Sequence, residues 1–168
     1  MDKDVLITCD PGKSEFGLAK FVDGELTWAL GVDSKRGDVP KNIPIWLHTG
    51  RVAYSTAIKQ VHGDTNPRLV IEKMKTRRGR SDAHKALIHL SLMSGVLAAW
   101  WPGDVSMIEP GRWTGSHSKA RHQQRTMDYL DGYKEQGVID LAIKGSPSNT
   151  ESEIVDAVGI GFYVTGRY

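Results

Sequence analysis

Three acidic residues occupy positions where a folded chain seldom tolerates charge. Asp10 closes the apolar run Val5-Leu6-Ile7-Thr8-Cys9 and is followed at once by Pro11-Gly12. Glu72 closes Leu69-Val70-Ile71, and Asp156 lies inside the apolar helical segment Ile154–Val164. A carboxylate in such a place must be solvated, hydrogen-bonded or matched by a cation. Two unit charges about 4 Å apart repel by roughly 4 kcal/mol at an effective dielectric near 20, so three converging carboxylates do not all stay ionised without cations. Hard oxygen ligands suit Mg²⁺ or Mn²⁺. Two such ions about 3.5–4 Å apart can activate a water and stabilise the leaving oxygen of a phosphodiester. The sequence offers no Cys/His zinc spacing and no Gly-rich loop with a phosphate-binding lysine.

Each acid has an ordinary role open to it as well. Aspartate before Pro-Gly commonly initiates a turn. Glu72 heads a run of bases and fits a surface ion pair, worth about 0–1 kcal/mol. Asp156 is harder to dismiss, because Ile154, Val155, Ala157 and Val158 around it read as buried. Glu153 fits two jobs. Thr150-Glu151-Ser152-Glu153 has the pattern of a capping box, with Thr150 as N-cap and Glu153 reaching back. Glu153 also precedes Asp156 by three residues, which puts both on one helix face.

The elements that must position these residues follow from hydrophobic periodicity. Val5–Asp10 reads as a buried strand. Phe16–Val22 and Glu25–Leu30 flank Asp23-Gly24, a hairpin-turn signal. The segment 33–44 reads as a loop, broken by Pro40 and Pro44. Arg51–Val61 is predicted helical, with Tyr54, Ala57, Ile58 and Val61 on one face. Arg68–Glu72 and Val105–Ile108 are short strands. Asp82–Trp101 is a longer helix with an apolar stripe of Ala83, Ala86, Leu87, Leu90, Met93 and Leu97. Ser118–Gln136 reads as one polar, basic helix, and Thr150–Val164 as the last helix. The order β-β-β-α-β-α-β-α-α predicts an α/β protein with a mixed five-stranded sheet and helices on both faces. That is the element order of the ribonuclease H-like fold.

Bulk properties agree with one globular domain over residues 1–168. The 39% apolar and 25% charged composition excludes a disordered chain. The net charge of +2 does not by itself imply a nucleic-acid partner. The single cysteine, Cys9, rules out an intrachain disulfide and reads as a small core residue, so a cytoplasmic location is expected. Met1-Asp2-Lys3-Asp4 is not the start of a signal peptide. The most apolar stretch, Val96–Trp101, is too short to span a membrane, and no membrane partner is expected.

Taken together, Asp10-Pro11-Gly12 with Gly17 after it, Leu69-Val70-Ile71-Glu72, and Glu153-Ile154-Val155-Asp156-Ala157 resemble the RuvC-type Holliday-junction resolvases in order and spacing. Ser91–Ala99 with Gly95 inside it, and Glu109-Pro110 before a basic helix, are similar to that family too. The resemblance spans nearly the whole chain. It implies a ribonuclease H-like fold, a homodimer, dependence on Mg²⁺ (with Mn²⁺ expected to substitute) and symmetric nicking of four-way DNA junctions. Asp10, Glu72 and Asp156 match the family's catalytic, metal-holding acids, and Glu153 falls where the family commonly has a fourth acid, an aspartate. The family's cellular members carry an aromatic shortly after the second acid. Here the residues are Lys73, Met74 and Lys75. Such divergence fits a phage-type or mobile-element member.

Two basic groups flank the acids. Lys73, Lys75, Arg77, Arg78, Arg80 and Lys85 follow Glu72; Arg112, Lys119, Arg121 and Arg125 form the second group, with His117 and His122 nearby. An isolated charge run is usually a solvated face. Beside a phosphodiesterase site these bases read as DNA contacts, with salt-dependent binding. Trp100-Trp101 reads as core or dimer interface. Trp113, more exposed by pattern, is open to base stacking or to packing on the sheet. The Leu87–Leu97 stripe is open to core or to a dimer seam.

Three functional readings compete. The first is a metal-dependent endonuclease that hydrolyses phosphodiester bonds at four-way junctions. The second, motivated by the altered segment after Glu72, is a debranching nuclease acting on branched DNA generally. The third, motivated by Glu153 in place of aspartate, is a junction-binding protein with a degenerate site. An ATP-binding domain of the actin and sugar-kinase type is rejected, because one short domain cannot supply its two-domain cleft.

Overall fold

The computed structural model describes residues 3–12, 15–34, 43–73 and 81–168, the side chains of 81–86 excepted. Strands β1 (Val5–Pro11), β2 (Glu15–Val22) and β3 (Glu25–Asp33) are followed by helix α1 (Ile45–Gln60), β4 (Arg68–Glu72), α2 (Ser81–Ala99) and β5 (Val105–Ile108). Helices α3 (Pro110–Thr114), α4 (Lys119–Asp128), α5 (Gly132–Gly145) and α6 (Glu151–Val164) complete the chain. The sheet order is β3-β2-β1-β4-β5. β1 pairs antiparallel with β2 and parallel with β4, and β4 pairs parallel with β5. This is the mixed five-stranded sheet expected from the sequence. The β2–β3 hairpin turns at Asp23-Gly24, whose φ values of 52° and 83° give the left-handed pair that a tight two-residue turn needs.

Alternation along β1 defines two faces. Val5, Ile7 and Cys9 pack with Ala53 and Ala57 of α1, its C-cap Val61, and Leu90, Met93 and Leu97 of α2. Leu6 faces the other way, into a core with Val70, Trp113, Ile139 and the α6 residues Ile154, Ala157, Val158 and Ile160. Thr8 shares that face and donates a hydrogen bond to the Ala157 carbonyl at 2.6 Å. The same parity carries Asp10 to the α6 side. In β4, Leu69 and Ile71 point to α1 and α2 while Val70 points to α6, so Glu72 joins Asp10. Residues 154–162 of α6 are buried all round, because α4 and α5 cover the side turned away from the sheet.

Several expectations need correction. The helix read over Ser118–Gln136 is two helices, α4 and α5, separated at Tyr129–Asp131. Gly132 takes φ +59°, and the Glu135 carboxylate accepts the Asp131 N–H at 2.6 Å, starting a new helix. Pro44 does not merely break structure; it is the N-cap of α1, which therefore begins at Ile45 rather than Arg51. The capping box at Thr150 does not form: the Thr150 hydroxyl donates to the Pro147 carbonyl at 2.7 Å, and α6 has no side-chain cap. Among the described residues no helix is long and apolar enough to cross a membrane.

Candidate active site

Asp10 and Glu72 stand at the C-terminal ends of neighbouring parallel strands, one residue beyond the registered pair Cys9↔Ile71. Ligands of open α/β sheets gather at this end. Asp156 comes from α6, which can approach because β2 offers no side chain beneath it. Gly17 pairs with Asp10, and a Cβ there would lie 1.8 Å from the Glu153 carbonyl oxygen. Only glycine allows the first turn of α6 to settle on the sheet beside Asp10. A cleft of about 360 Å³, lined by Glu72, Lys73, Leu87, Ser91, Ser94 and Met107, opens at the end of β4 between α2 and β5.

The electrostatics are those of too many acids in one place. Asp10 is buried at 7% exposure; burial first, then the charges of Glu72 and Asp156, push its carboxyl well above the ordinary 3.8. Asp10 and Glu72 are hydrogen-bonded to each other, and that contact raises Asp10 further while it works to lower Glu72. Glu72 is also raised, by burial and by Asp156, against the opposing hydrogen bonds from Asp10 and Trp113. Burial, Glu15 and Asp156 raise Glu153, whose Oε2 is buried without a hydrogen-bond partner. Asp156 receives Lys119 Nζ at 3.1 Å on Oδ2, and His122 Nε2 at 3.0 Å and Gln123 Nε2 at 2.9 Å on Oδ1. Burial alone would lower the Lys119 ammonium, but Asp156, Asp10 and Glu153 hold it above its usual range.

This donor set fits a hard divalent cation. It is all oxygen, it holds more negative charge than its own bases neutralise, and Glu153 keeps an orphaned carboxylate oxygen. Asp10, Glu72 and Asp156, with Glu153, would be its ligands. Among the described residues no three Cys, His, Asp or Glu side chains converge as a finished cage. The acids stand instead as the hydrogen-bonded Asp10–Glu72 pair and the Lys119-bound Asp156, which feel one another's charge.

The predicted DNA-contact residues separate into groups. Lys75, Arg77, Arg78 and Arg80 lie outside the described residues, as does the Lys85 side chain. Lys73 pairs with Glu109 at 2.7 Å on the surface. Arg112, Lys119 and Arg121 are exposed, and Lys119 pairs with Asp156. Arg125 turns inward: its guanidinium lies 3.8 Å from the centre of the Tyr168 ring and donates to the Trp113 carbonyl at 3.2 Å. Trp113 is buried at 2% exposure, contrary to its exposed-looking pattern, and its indole N–H donates to Glu72 Oε1 at 2.8 Å. The sequence reading gave His122 and Gln123 no role at Asp156. The signal was present, since positions 119, 122 and 123 share one helical face.

No family model and no curated protein matches the sequence. Solved structures do. RuvC of T. thermophilus in complex with a Holliday junction substrate superposes with a TM-score of 0.54 at 12% identity, covering 96% of both chains. A second Thermus thermophilus RuvC structure gives 0.54 at 15% identity, also over 96% of each. The Fowlpox virus resolvase, in complex with Holliday junction DNA, gives 0.53 at 10% identity over 97% of each. Identities this low speak to architecture, and the architecture agrees with the resemblance drawn from the motifs: the chain has the ribonuclease H-like fold that RuvC and the poxvirus resolvase share.

Proposed function

We propose that the chain is a divalent-metal-dependent endonuclease that nicks branched DNA, four-way junctions above all, as a homodimer in the cytoplasm. The observation that supports this reading is the neighbouring pair Asp10 and Glu72 at the carboxyl ends of β1 and β4, close enough to Asp156 of α6 to feel its charge. Mg²⁺ or Mn²⁺, when bound, supplies an activated water and stabilises charge on the scissile phosphate. The chain's residues do the rest. Asp10, Glu72 and Asp156, with Glu153, hold the cation. Exposed Arg112 of α3 and Arg121 of α4 bind phosphates of the DNA backbone, and Lys119 of α4 stands at Asp156.

The dimer reading rests on α2. Its inner side, Leu90, Met93 and Leu97, is core, while Ile88 and Leu92 lie 56% and 43% exposed along the helix and Trp100, just past its end, is 56% exposed. A second copy covering that stripe would place two sites in two-fold relation, as paired nicks on a four-way junction require. Leu92→Glu is expected to give a monomer by size-exclusion chromatography, with single rather than paired nicks.

An end-labelled four-way junction, a three-way junction and a linear duplex, each incubated with Mg²⁺ and with EDTA, test the function. Paired symmetric nicks confined to the four-way substrate and absent in EDTA are expected. Equal cutting of all branched forms would establish the debranching reading. Tight binding without cutting in either Mg²⁺ or Mn²⁺ would leave a junction-binding protein.

A further inference from the structure

Glu72 and Asp156 are oriented by a brace behind the acids, built from two side chains that no DNA or metal need touch. Trp113 reaches Glu72 Oε1 through its indole N–H at 2.8 Å. The edge-on ring of His122 packs against Trp113, with centroids 4.8 Å apart and planes at 73°. His122 Nε2 in turn meets Asp156 Oδ1 at 3.0 Å. Both side chains are buried, at 2% and 6% exposure. Glu72–Trp113–His122–Asp156 is therefore a continuous path linking an acid on β4 to an acid on α6, through α3 and α4.

The path is tightly built. A Cβ on Gly159, three residues after Asp156 on α6, would lie 2.8 Å from Trp113 Cζ3 and 2.7 Å from Thr126 Oγ1. The missing side chain is what lets the indole sit against the helix that carries Asp156. The protonation of His122 follows from its surroundings. Nδ1 is buried without a hydrogen-bond partner, whereas Nε2 faces a carboxylate. An orphaned buried N–H is costlier than an orphaned lone pair beside apolar groups, so the proton belongs on Nε2, which donates to Asp156. Each brace member thus donates one hydrogen bond to one acid and leaves that acid's other oxygen for a different partner.

We propose that Trp113 and His122 are positioning residues that fix Glu72 and Asp156 in a cation-ready orientation. The inference rests on the metal-site reading of Asp10, Glu72 and Asp156. Groups that hydrogen-bond behind metal ligands typically change metal affinity by about 10–100-fold when removed. They do so by fixing ligand orientation before binding.

Mn²⁺ titration by calorimetry, with melting in EDTA as the parallel readout, tests this. Trp113→Phe keeps an aromatic ring in the pocket and removes the indole donor together with part of the ring volume. It is expected to weaken Mn²⁺ binding about tenfold, while the fall in EDTA melting temperature reports the lost ring volume separately. His122→Leu is expected to do the same, and His122→Gln, which restores a donor near the Nε2 position, to recover most of the affinity. In wild-type protein the ¹⁵N spectrum of His122 is expected to show a protonated Nε2 and a bare Nδ1. Unchanged Mn²⁺ affinity in both Trp113→Phe and His122→Leu would overturn the brace while leaving the nuclease reading intact. So would a loss in His122→Leu that His122→Gln does not restore. If wild-type protein binds no Mn²⁺, or Asp10→Asn binds it as well as wild type, the metal-site reading fails and the brace falls with it.

Discussion

Two carboxyl groups are almost equally buried on the α6 side of the sheet, and they live in opposite circumstances. Glu135 of α5 is 3% exposed, and Asp10 of β1 is 7% exposed. Glu135 accepts the Leu26 N–H at 2.7 Å and the Asp131 N–H at 2.6 Å, and the Arg167 guanidinium binds both its oxygens at 2.7 and 2.9 Å. Burial alone would raise its pKa. The Arg167 and backbone hydrogen bonds outweigh burial, and the carboxyl lies below its ordinary 4.5. Asp10 instead meets Glu72 and Asp156, whose charges add to burial and hold its carboxyl well above the ordinary 3.8. Burial does not distinguish a structural carboxylate from a candidate catalytic one; the balance of partners does. Glu135 is satisfied by its own chain. The Asp10 set instead crowds acid against acid, and such perturbed clusters mark candidate functional sites.

Substitution should break the comparison in opposite directions. Asp10→Asn is expected to reduce junction cleavage by about a thousandfold or more, since it removes a ligand at the centre of the site. The same change should raise the melting temperature in EDTA at neutral pH, because burial beside Glu72 and Asp156 disfavours the ionised carboxylate that the unfolded chain carries, a cost the amide does not bear. Junction binding by mobility shift should persist. Glu135→Gln should leave the cleavage chemistry in place and cost about 3 kcal/mol of stability, because it strands Arg167 and a backbone N–H. For a chain of this length that is roughly a 9 °C fall in melting temperature. A Glu135→Gln protein as stable as wild type would show that the Arg167 cluster is not a structural lock.

The two groups also predict opposite pH dependences. The folded pKa of Glu135 is depressed, so its contribution is complete above 4.5 and is lost as the pH falls through the folded value. The folded pKa of Asp10 is raised. Below 3.8 both folded and unfolded forms carry the proton. As pH rises above that, the unfolded chain releases it first, and stability falls until the folded pKa is passed. Melting in EDTA should therefore decline from mildly acidic toward neutral pH. Mg²⁺ should offset that decline by binding the folded state alone, and Asp10→Asn should flatten it. A wild-type profile that is flat over this range in EDTA would contradict the crowded-acid account.

Strand parity made much of this legible from sequence. Leu6-Thr8-Asp10 and Val70-Glu72 alternate with their neighbours, and that alone sets both acids on one face once the strands are paired in parallel. Asp10-Pro11-Gly12 and Gly17 carried more than turn chemistry, since Gly17 is the floor on which α6 rests. What local pattern could not reveal is partnership across distance. The indole N–H of Trp113 finds Glu72 forty-one residues away, so a tryptophan between polar neighbours looked exposed. The break between α4 and α5 escaped for a similar reason. The periodicity continues through Tyr129–Asp131, while the Glu135 carboxylate captures the Asp131 N–H and Arg167 anchors it from the far end of the chain. Thr150 matched a capping pattern, but its hydroxyl is spent on Pro147 in the preceding turn.

Two arginines of α4 repeat the comparison on a smaller scale. Arg121 is exposed, whereas Arg125, four residues on, lies over the Tyr168 ring and donates to the Trp113 carbonyl. Sequence gave both the same reading, as phosphate contacts on one basic helix. Their surroundings separate them, because a guanidinium already engaged by a ring and a carbonyl is not free to follow a DNA strand. Arg121→Ala is expected to weaken junction binding and to reduce the slope of log K against log salt by about one, leaving the melting temperature unchanged. Arg125→Ala should leave that slope unchanged and lower stability by about 1 kcal/mol through loss of the cation–π contact. Measuring salt slope and melting temperature for both variants sharpens the rule drawn from Glu135 and Asp10. If Arg125→Ala instead changes the salt slope as much as Arg121→Ala, its inward contacts give way when DNA binds, and partner satisfaction within the free chain does not separate structural from functional charge on this helix.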